Sequence, residues 1–186
     1  NLFGHSFHCD LTIEEDVKRI FQSFEPDLIY HLAGKATVKG DELEIMKTNV
    51  NSTHLLLKYC KQNCEFVLAS SIIVHGAKVD KISDLDQPVA PTSIYGVSKL
   101  CAEKLVQKFH MDGKILGRIL RLVANCGCGQ SHGLIIDILN KLKSKSEYLE
   151  LLGDEPGSCK PFVYVGDTVQ AFIIAGVSNL KRELLV

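Results

Sequence analysis

Stretches with strand-like and helix-like hydrophobic patterns alternate along the whole chain. Such alternation is typical of parallel βαβ units, in which a crossover helix follows each strand. Short apolar runs predict buried strands, and apolar residues that recur every three or four positions predict helices with one face on a sheet. The predicted strands are 6–9, 28–31, 66–70, 115–124, 148–152 and 162–165, and the predicted helices are 13–23, 42–63, 94–111, 134–143 and 168–177.

Polar positions mark the boundaries between these elements. Thr12 is followed three residues later by Glu15, the spacing of a capping box in which each side chain bonds the other residue's backbone N–H. The stretch 76–93 is predicted to be a polar loop. The sequence therefore predicts an α/β protein built on a parallel sheet.

The amino-acid composition and net charge indicate which kinds of molecule the protein can bind. With 186 residues, 46% of them hydrophobic and a net charge of −1, the chain can bury a substantial core and has no electrostatic attraction to nucleic acid or membranes. No apolar run approaches the length of a membrane span. We therefore expect neither nucleic acid nor membrane as a partner.

The seven cysteines are an odd number without paired spacing. Together with the absence of a signal peptide, this predicts free thiols in a reducing, cytoplasmic location. Cys126, Cys128 and His132 lie close in sequence, but two thiols and one imidazole match no usual structural zinc site. We expect no metal.

The candidate catalytic groups are Ser71, Tyr95 and Lys99. Tyr95 and Lys99 are four residues apart at the start of a predicted helix, so they share one helix face. A neighbouring ammonium favours the phenolate form of a tyrosine. Ser71 ends a predicted strand, and the carboxyl ends of parallel strands are where open α/β sheets bind ligands. The three residues predict a proton-transfer site.

Four phrases, in order and spacing, resemble those of the extended short-chain dehydrogenase/reductases in the NAD-dependent epimerase/dehydratase family. They are the segments 26–34, 48–53, 69–76 and 95–99. The closest resemblance is to nucleotide-sugar epimerases and reductases, UDP-galactose 4-epimerase included, and it runs from Asp10 to Asp167.

This resemblance implies a Rossmann-like doubly wound parallel sheet with part of a small carboxyl-terminal substrate lobe. The glycine-rich turn that holds the cofactor pyrophosphate has no counterpart before Asp10, so we expect the sheet to be incomplete at its amino-terminal end and the chain to be part of a longer polypeptide. The implied division is a partial dinucleotide-binding domain at 1–130, followed at 131–186 by the final sheet elements and part of the lobe.

The resemblance also implies roles for individual residues. Tyr95 takes the proton from a sugar hydroxyl, Lys99 holds the nicotinamide ribose and keeps the phenol acidic, and Ser71 bonds the developing carbonyl oxygen. The implied cofactor is NAD or NADP, bound by Asp10, Leu11, Leu32, Ala33, Gly34, Thr48, Tyr95, Lys99 and Val123. The implied substrate-binding residues are Ser71, Tyr95 and Asn125. Asn49 is expected to hold the helix and the active-site backbone in place.

Two residues narrow the implied reaction. Dehydratases of the family carry acidic residues directly after the catalytic serine or threonine, whereas this chain has Ile72 and Ile73. Since apolar side chains cannot transfer a proton, we expect an epimerase or a ketoreductase acting on a nucleotide sugar. The alternatives are a reductase of a non-sugar alcohol and a catalytically idle dinucleotide-binding relative.

Three further interpretations concern loops and surfaces. The segment 127–133 imitates a phosphate-binding turn, but in the family it resembles the loop that borders the substrate. His132 is either an acid in that loop or, as we favour, an ordinary polar residue. A homodimer formed through the helices 42–63 and 94–111 is possible, although their apolar residues are equally consistent with a core.

Overall fold

The structure is a computed structural model that describes residues 4, 6–37, 40–76, 88–131, 133–144, 148 and 160–177. Contacts divide the chain into two compact units. The first unit comprises Asn1–Leu122 and Phe172–Val186, and the second comprises Val123–Ala171. The domain division predicted at 130/131 stays a prediction.

A parallel sheet of three strands is the framework of the first unit. The strands are β1 (Leu28–His31), β2 (Cys64–Ser71) and β3 (Ile115–Leu122), in the order β1-β2-β3. Helices connect consecutive strands, as parallel pairing requires. Residues 66–70 of the central strand β2 are all buried, as is typical of a parallel sheet covered on both faces. The predicted α/β class is confirmed.

The helical segments of the first unit are α1 (Glu14–Ser23), α2 (Glu42–Met46), a π-helical turn (Lys47–Asn51), α3 (Ser52–Tyr59), a 3₁₀ turn (Ile72–His75) and α4 (Ile94–Met111). The start of α4 is fixed by Ser93, whose side chain accepts a hydrogen bond from Gly96 N at 3.1 Å, because an N-cap oxygen satisfies an otherwise unpaired N–H group. The helix ends before Gly113, which has φ +71°, a conformation that favours glycine.

A π-helical turn interrupts the helical stretch 42–59. Ser52 Oγ donates to Thr48 O, and Thr53 Oγ1 donates to Asn49 O at 2.7 Å. These hydroxyls therefore bond carbonyls one turn earlier, an arrangement that bends or loosens helices. The turn overlaps the phrase 48–53 noted above, and it carries Asn49 with only 2% of its surface exposed.

The hydrophobic core lies between the sheet and helices α1, α3 and α4. Its buried members are Val17, Leu55, Leu56, Leu57, Cys60, Cys64, Phe66, Leu68, Ala102, Val106, Ile115 and Ile119. On β2, Phe66 and Leu68 belong to this cluster, so Ser70 shares their face of the sheet because side chains alternate along a strand. The core thus leads directly to the carboxyl end of β2.

The second unit contains β4 (Ala124–Cys126), β5 (Phe162–Tyr164), helix α5 (Leu134–Lys143) and the start of α6 (Val165–Val177). β4 and β5 form a parallel pair. Among the described residues, no helix has both the length and the hydrophobicity needed to cross a membrane.

Several predicted elements agree with the structure, and several need correction. The strand 28–31 and the helices 94–111 and 134–143 are confirmed at their predicted bounds. The predicted strand 6–9 is wrong, since these residues are irregular and no described residues pair with them as a strand needs. The predicted strand 115–124 is divided after Leu122, the last residue of β3 that β2 pairs with.

Helix ends account for the other corrections. The capping box is wrong, because Ile13 is the N-cap of α1 and Thr12 instead donates to Asp10 Oδ1 at 2.8 Å. The predicted helix 42–63 ends at Tyr59, and α6 begins at Val165, three residues before the predicted start. The predicted strand 148–152, apart from Tyr148, and the loop residues 77–87 lie outside the described residues.

Candidate active site

Ser71, Tyr95 and Lys99 meet where β2 ends and α4 begins. Ser71 is the last residue of β2, and Tyr95 and Lys99 lie one turn apart on α4. The Ser71 side chain lies close enough to the Tyr95 phenol to influence its ionisation. Lys99 Nζ is 5.9 Å from the centre of the Tyr95 ring. A hydroxyl, a phenol and an ammonium therefore surround one point at the carboxyl edge of the sheet.

Lys99 is held deep in this site. It is 7% exposed, and its Nζ donates to Ala69 O at 2.9 Å. Burial lowers the pKa of Lys99, while the Glu103 carboxylate acts in the opposite direction. The hydrogen bond to the backbone of β2 thus fixes the ammonium close to the strand that ends in Ser71.

The Tyr95 phenol is less acidic than the sequence predicted. Burial raises the pKa of Tyr95, and the hydrogen bond from Ser71 to the ionised phenol offsets this only in part. Lys99 directs its ammonium to the Ala69 carbonyl rather than to the phenol oxygen. The contribution of Lys99 to the acidity of Tyr95 stays a prediction.

Asn49 connects the loop after β1 to α4. Its Oδ1 accepts from Lys35 N at 2.7 Å, and its Nδ2 donates to Lys35 O at 3.1 Å and to Ser98 Oγ at 2.9 Å. Ser98 Oγ in turn donates to Tyr95 O at 2.7 Å. The side chain thereby links Lys35 to the helical turn that begins with Tyr95.

His31 is a buried neutral histidine at the end of β1. Its Nε2 lies 3.0 Å from Thr53 Oγ1, and because the Thr53 hydroxyl donates to Asn49 O, Nε2 is the donor to Thr53. Burial and the nearby Lys99 ammonium lower the pKa of His31 to about 4. The uncharged ring therefore adds a hydrogen-bonded contact between β1 and the π-helical turn.

Sequence reasoning missed a buried polar cluster directly below the site. Ser70, Glu103, Arg121 and His75 are each at most 9% exposed, and hydrogen bonds join them in one network. A signal was present, because Glu103 follows Lys99 by four residues on the same helix. Charged residues are almost never fully buried unless they are paired.

A cavity of about 410 Å³ adjoins the ends of β1 and the π-helical turn. Its lining is His8, Cys9, Asp10, Leu11, Thr12, Ala33, Thr48 and Ser52. Four of the residues predicted to bind a cofactor are among them. Asp10 Oδ1 accepts from Thr12 N and from Thr12 Oγ1, each at 2.8 Å, and these bonds lower the pKa of Asp10.

The remaining predicted cofactor residues on this side follow β1. Leu32 is 61% exposed. Gly34 lies so close to the site that a Cβ atom on it would be 2.9 Å from Asn49 Oδ1 and 3.4 Å from Lys99 Nζ. The backbone here runs against the active-site side chains, which leaves no room for a larger residue.

Two predicted site residues belong to the second unit. Val123 lies between β3 and β4, and Asn125 lies in β4. The Asn125 Oδ1 atom accepts from Thr168 Oγ1 at 2.5 Å, so this oxygen already has a partner within the unit. Contact of Val123 with a cofactor and of Asn125 with a substrate stay predictions, and His132 lies outside the described residues.

Comparison with known proteins gives consistent results. The family model described as the NAD dependent epimerase/dehydratase family matches residues 3–182. An uncharacterised UDP-glucose epimerase of Bacillus subtilis, YtcB, is 31% identical over 84% of this chain and 51% of its own length. A UDP-glucose 4-epimerase of Halalkalibacterium halodurans is 27% identical over 95% of this chain and 59% of its own length.

A solved structure has the same arrangement of the chain. MoeE5 in complex with UDP-glucose and NAD superposes with a TM-score of 0.81 at 26% identity, covering 97% of this chain and 61% of that chain. The chain thus spans between half and two thirds of the length of these proteins.

Proposed function

The chain belongs to the NAD dependent epimerase/dehydratase family, and we propose that the protein carrying it is an NAD-dependent epimerase or ketoreductase of a nucleotide sugar. The family match supports the enzyme class, and the extended short-chain dehydrogenase/reductase fold is shared with MoeE5, whose structure holds UDP-glucose and NAD. The observation that carries the proposal is the meeting of Ser71, Tyr95 and Lys99 at the carboxyl edge of the sheet.

Tyr95 is the proton-transfer group of this proposal. Burial favours its protonated form, which is suited to donating a proton to a carbonyl oxygen that becomes a hydroxyl. In the opposite direction the phenol must first lose that proton, and the Ser71 hydroxyl stabilises the resulting phenolate by donating to it. General acid–base catalysis requires such a group within hydrogen-bond reach of the reacting oxygen.

Ser71 and Lys99 hold the reacting groups in place. Ser71 can bond a substrate oxygen, and its position at the strand end is fixed by Ile73 N, which donates to Ser71 Oγ at 3.4 Å. Lys99 has three donor hydrogens, of which one bonds Ala69 O. Among the described residues the other two have no hydrogen-bond acceptor, so we propose that they bond cofactor or substrate hydroxyls.

The cavity beside β1 fits the cofactor that the family uses. Asp10 and Leu11 line it together with Ala33 and Thr48. Asp10, Leu11, Leu32, Ala33, Gly34 and Thr48 are the residues of the first unit proposed to hold it. NAD, when bound, accepts or supplies the hydride at the substrate carbon.

Ile72 and Ile73 argue against dehydration. They follow Ser71 in the 3₁₀ turn and are partly buried, so this segment offers apolar side chains where water elimination needs an acid and a base. We therefore propose epimerisation or simple reduction. A homodimer through the helices 42–63 and 94–111 is a further proposal, which sedimentation of the full-length protein would test.

The test uses full-length protein, NAD and NADP, and a panel of UDP-, dTDP- and GDP-sugars. We expect turnover of at least one sugar, and we expect Tyr95→Phe to lower kcat by about 10²- to 10⁴-fold, the usual contribution of a positioned acid or base, with cofactor binding retained. The matched control is Tyr59→Phe, since the Tyr59 phenol bonds Glu14 Oε1 at 2.6 Å on the surface.

Other outcomes separate the rival functions. Unchanged turnover by Tyr95→Phe would refute the proposed site. Cofactor binding without turnover of any alcohol would indicate a catalytically idle relative. Activity on non-sugar alcohols alone would replace the proposed substrate class.

A further inference from the structure

Three residues of α4 form one stripe that runs from the site into the core. Tyr95, Lys99 and Glu103 are spaced by four residues, so they lie on one face of the helix over a rise of about 12 Å. Tyr95 is partly buried, Lys99 is 7% exposed and Glu103 is 0% exposed. The deepest member of the stripe is thus a carboxylate for which the proposed reaction has no direct use.

The Glu103 carboxylate bonds both strands that lie under α4. Its Oε1 accepts from Ser70 Oγ at 2.5 Å and from Arg121 Nε at 3.0 Å, and its Oε2 accepts from Arg121 Nη2 at 2.7 Å. Ser70 precedes Ser71 on β2, and Arg121 lies on β3. One carboxylate therefore joins the helix that carries Tyr95 to the strand end that carries Ser71.

The same network extends to the turn after Ser71. Arg121 Nη1 is 3.2 Å from His75 Nε2, and since a guanidinium only donates, Nε2 is the acceptor. His75 Nδ1 then carries the proton and donates to Pro88 O at 3.3 Å. Glu103 thus bonds Ser70 on one side of Ser71 directly, and it bonds Arg121, which contacts His75 on the other side.

Glu103 also sets the local charge. Two buried cations, Lys99 and Arg121, lie beside this buried anion. The titratable groups around Lys99 are Tyr95 and Glu103 on α4 and the neutral His31 on β1, while Arg121 on β3 faces Glu103. Of these, Glu103 is the group that favours the charged form of Lys99.

We propose that Glu103 is a positioning residue of the Ser71–Tyr95–Lys99 site, which fixes the tip of β2 against α4 and keeps an anion in the field of the Lys99 ammonium. The inference rests on the proposed function for its effect on turnover. Its effect on Lys99 requires no substrate and is measured separately.

The test compares Glu103→Gln with Glu65→Gln in full-length protein labelled with ¹³C-lysine. Glu65 also pairs with a buried arginine, Arg118, but it lies six residues before Ser71 on β2, about 20 Å away. Each variant neutralises a carboxylate that pairs with a buried arginine, so the two are matched in charge, although Glu65 is 27% exposed and Glu103 is fully buried. Lys99→Arg identifies the Lys99 signal by its loss.

We expect Glu103→Gln to move the midpoint of the Lys99 ¹³Cε titration to lower pH by about one unit, because it removes the anion that favours the ammonium. The alkaline limb of the kcat–pH profile should move in the same direction. Glu65→Gln should leave both unchanged. An unmoved Lys99 midpoint in folded Glu103→Gln, or an equal shift in Glu65→Gln, would overturn the proposed electrostatic role.

Ser70→Ala tests the positioning role without changing any charge, and it remains informative if Glu103→Gln does not fold. It removes the hydrogen bond from β2 to the carboxylate while Arg121 stays paired. We expect kcat to fall about tenfold with KM and the Lys99 midpoint unchanged, and an unaltered kcat would contradict the proposal.

If wild-type protein turns over no substrate while the Lys99 midpoints behave as expected, the proposed function fails and the role of Glu103 in the charge of Lys99 stands.

Discussion

Replacing Asn49 by aspartate is expected to destabilise the protein far more than the small change in the side chain suggests. The change replaces the amide NH2 group, with its two donor hydrogens, by an oxygen and keeps the shape of the side chain. At pH 7 we expect the free energy of unfolding to fall by about 2–4 kcal/mol, because a buried amide that makes three hydrogen bonds becomes a buried carboxylate.

The magnitude follows from the direction of each hydrogen bond. Asn49 Nδ2 donates to Lys35 O and to Ser98 Oγ, and a carboxylate donates nothing. Ser98 cannot reverse its role, since its own proton is used on Tyr95 O. In the variant, the acceptors Lys35 O and Ser98 Oγ therefore face a carboxylate oxygen, which is also an acceptor. Each unsatisfied buried group costs about 1–3 kcal/mol. The retained bond from Lys35 N offsets part of this loss.

The pH dependence has a defined sign. Burial disfavours a charged carboxylate, so the pKa of the introduced aspartate lies above its unfolded value. Folded protein then binds the proton more tightly, and the deficit of the variant is smaller at pH 5 than at pH 7. Protonation restores one donor, which can bond either Lys35 O or Ser98 Oγ.

The measurement is urea unfolding of wild-type protein and Asn49→Asp at pH 5 and pH 7, followed by circular dichroism. Asn140→Asp is the control, since Asn140 is exposed on α5 and the same chemical change there should alter stability by less than about 0.5 kcal/mol. A loss at Asn49 no larger than at Asn140, or a loss that grows as the pH falls, would refute the hydrogen-bond assignment.

Two further predictions concern residues near Asn49. Gly34→Ala should lower both stability and kcat, because its Cβ would lie 2.9 Å from Asn49 Oδ1. Gly4→Ala is the control and should be neutral, since no atom lies within 4 Å of the added Cβ. Equal effects of the two variants would contradict the crowding at Gly34. His31, with its pKa lowered to about 4, should contribute stability that is present above pH 6.5 and is lost as the pH falls to 4, by about 3 kcal/mol. Urea midpoints measured across this range should fall less steeply in His31→Gln, and identical slopes would show that the ring is not buried neutral.

Hydrophobic periodicity predicted the elements whose apolar pattern is strong and whose ends carry local signals. The helix 94–111 agrees with the structure at both ends, where Pro91 and Ser93 precede it and Gly113 follows it. Residues 6–9 are predicted as a strand from their local pattern, yet they are irregular in the structure. A strand depends on pairing with a neighbouring strand, which a local pattern does not reveal.

The sequence predicts only those parts of the candidate site that follow from residue spacing and from the order of the elements. Tyr95 and Lys99 share a helix face by simple geometry, and Ser71 follows from the carboxyl-end rule for parallel sheets. The direction of the Lys99 ammonium toward Ala69 O and the burial that raises the pKa of Tyr95 are tertiary properties. Arg121 bonding Glu103 likewise depends on pairing between elements 18 positions apart.

The π-helical turn at Lys47–Asn51 has a consequence for how this chain is aligned with others. A π turn closes its hydrogen bonds over five residues where an α-helix uses four, so the segment holds one residue more than the length it covers. A relative that has a regular α-helix here will match this chain on either side only if a single gap is opened between positions 47 and 51. Without that gap, every comparison beyond it is displaced by one position, and Asn49 is paired with a residue that points elsewhere.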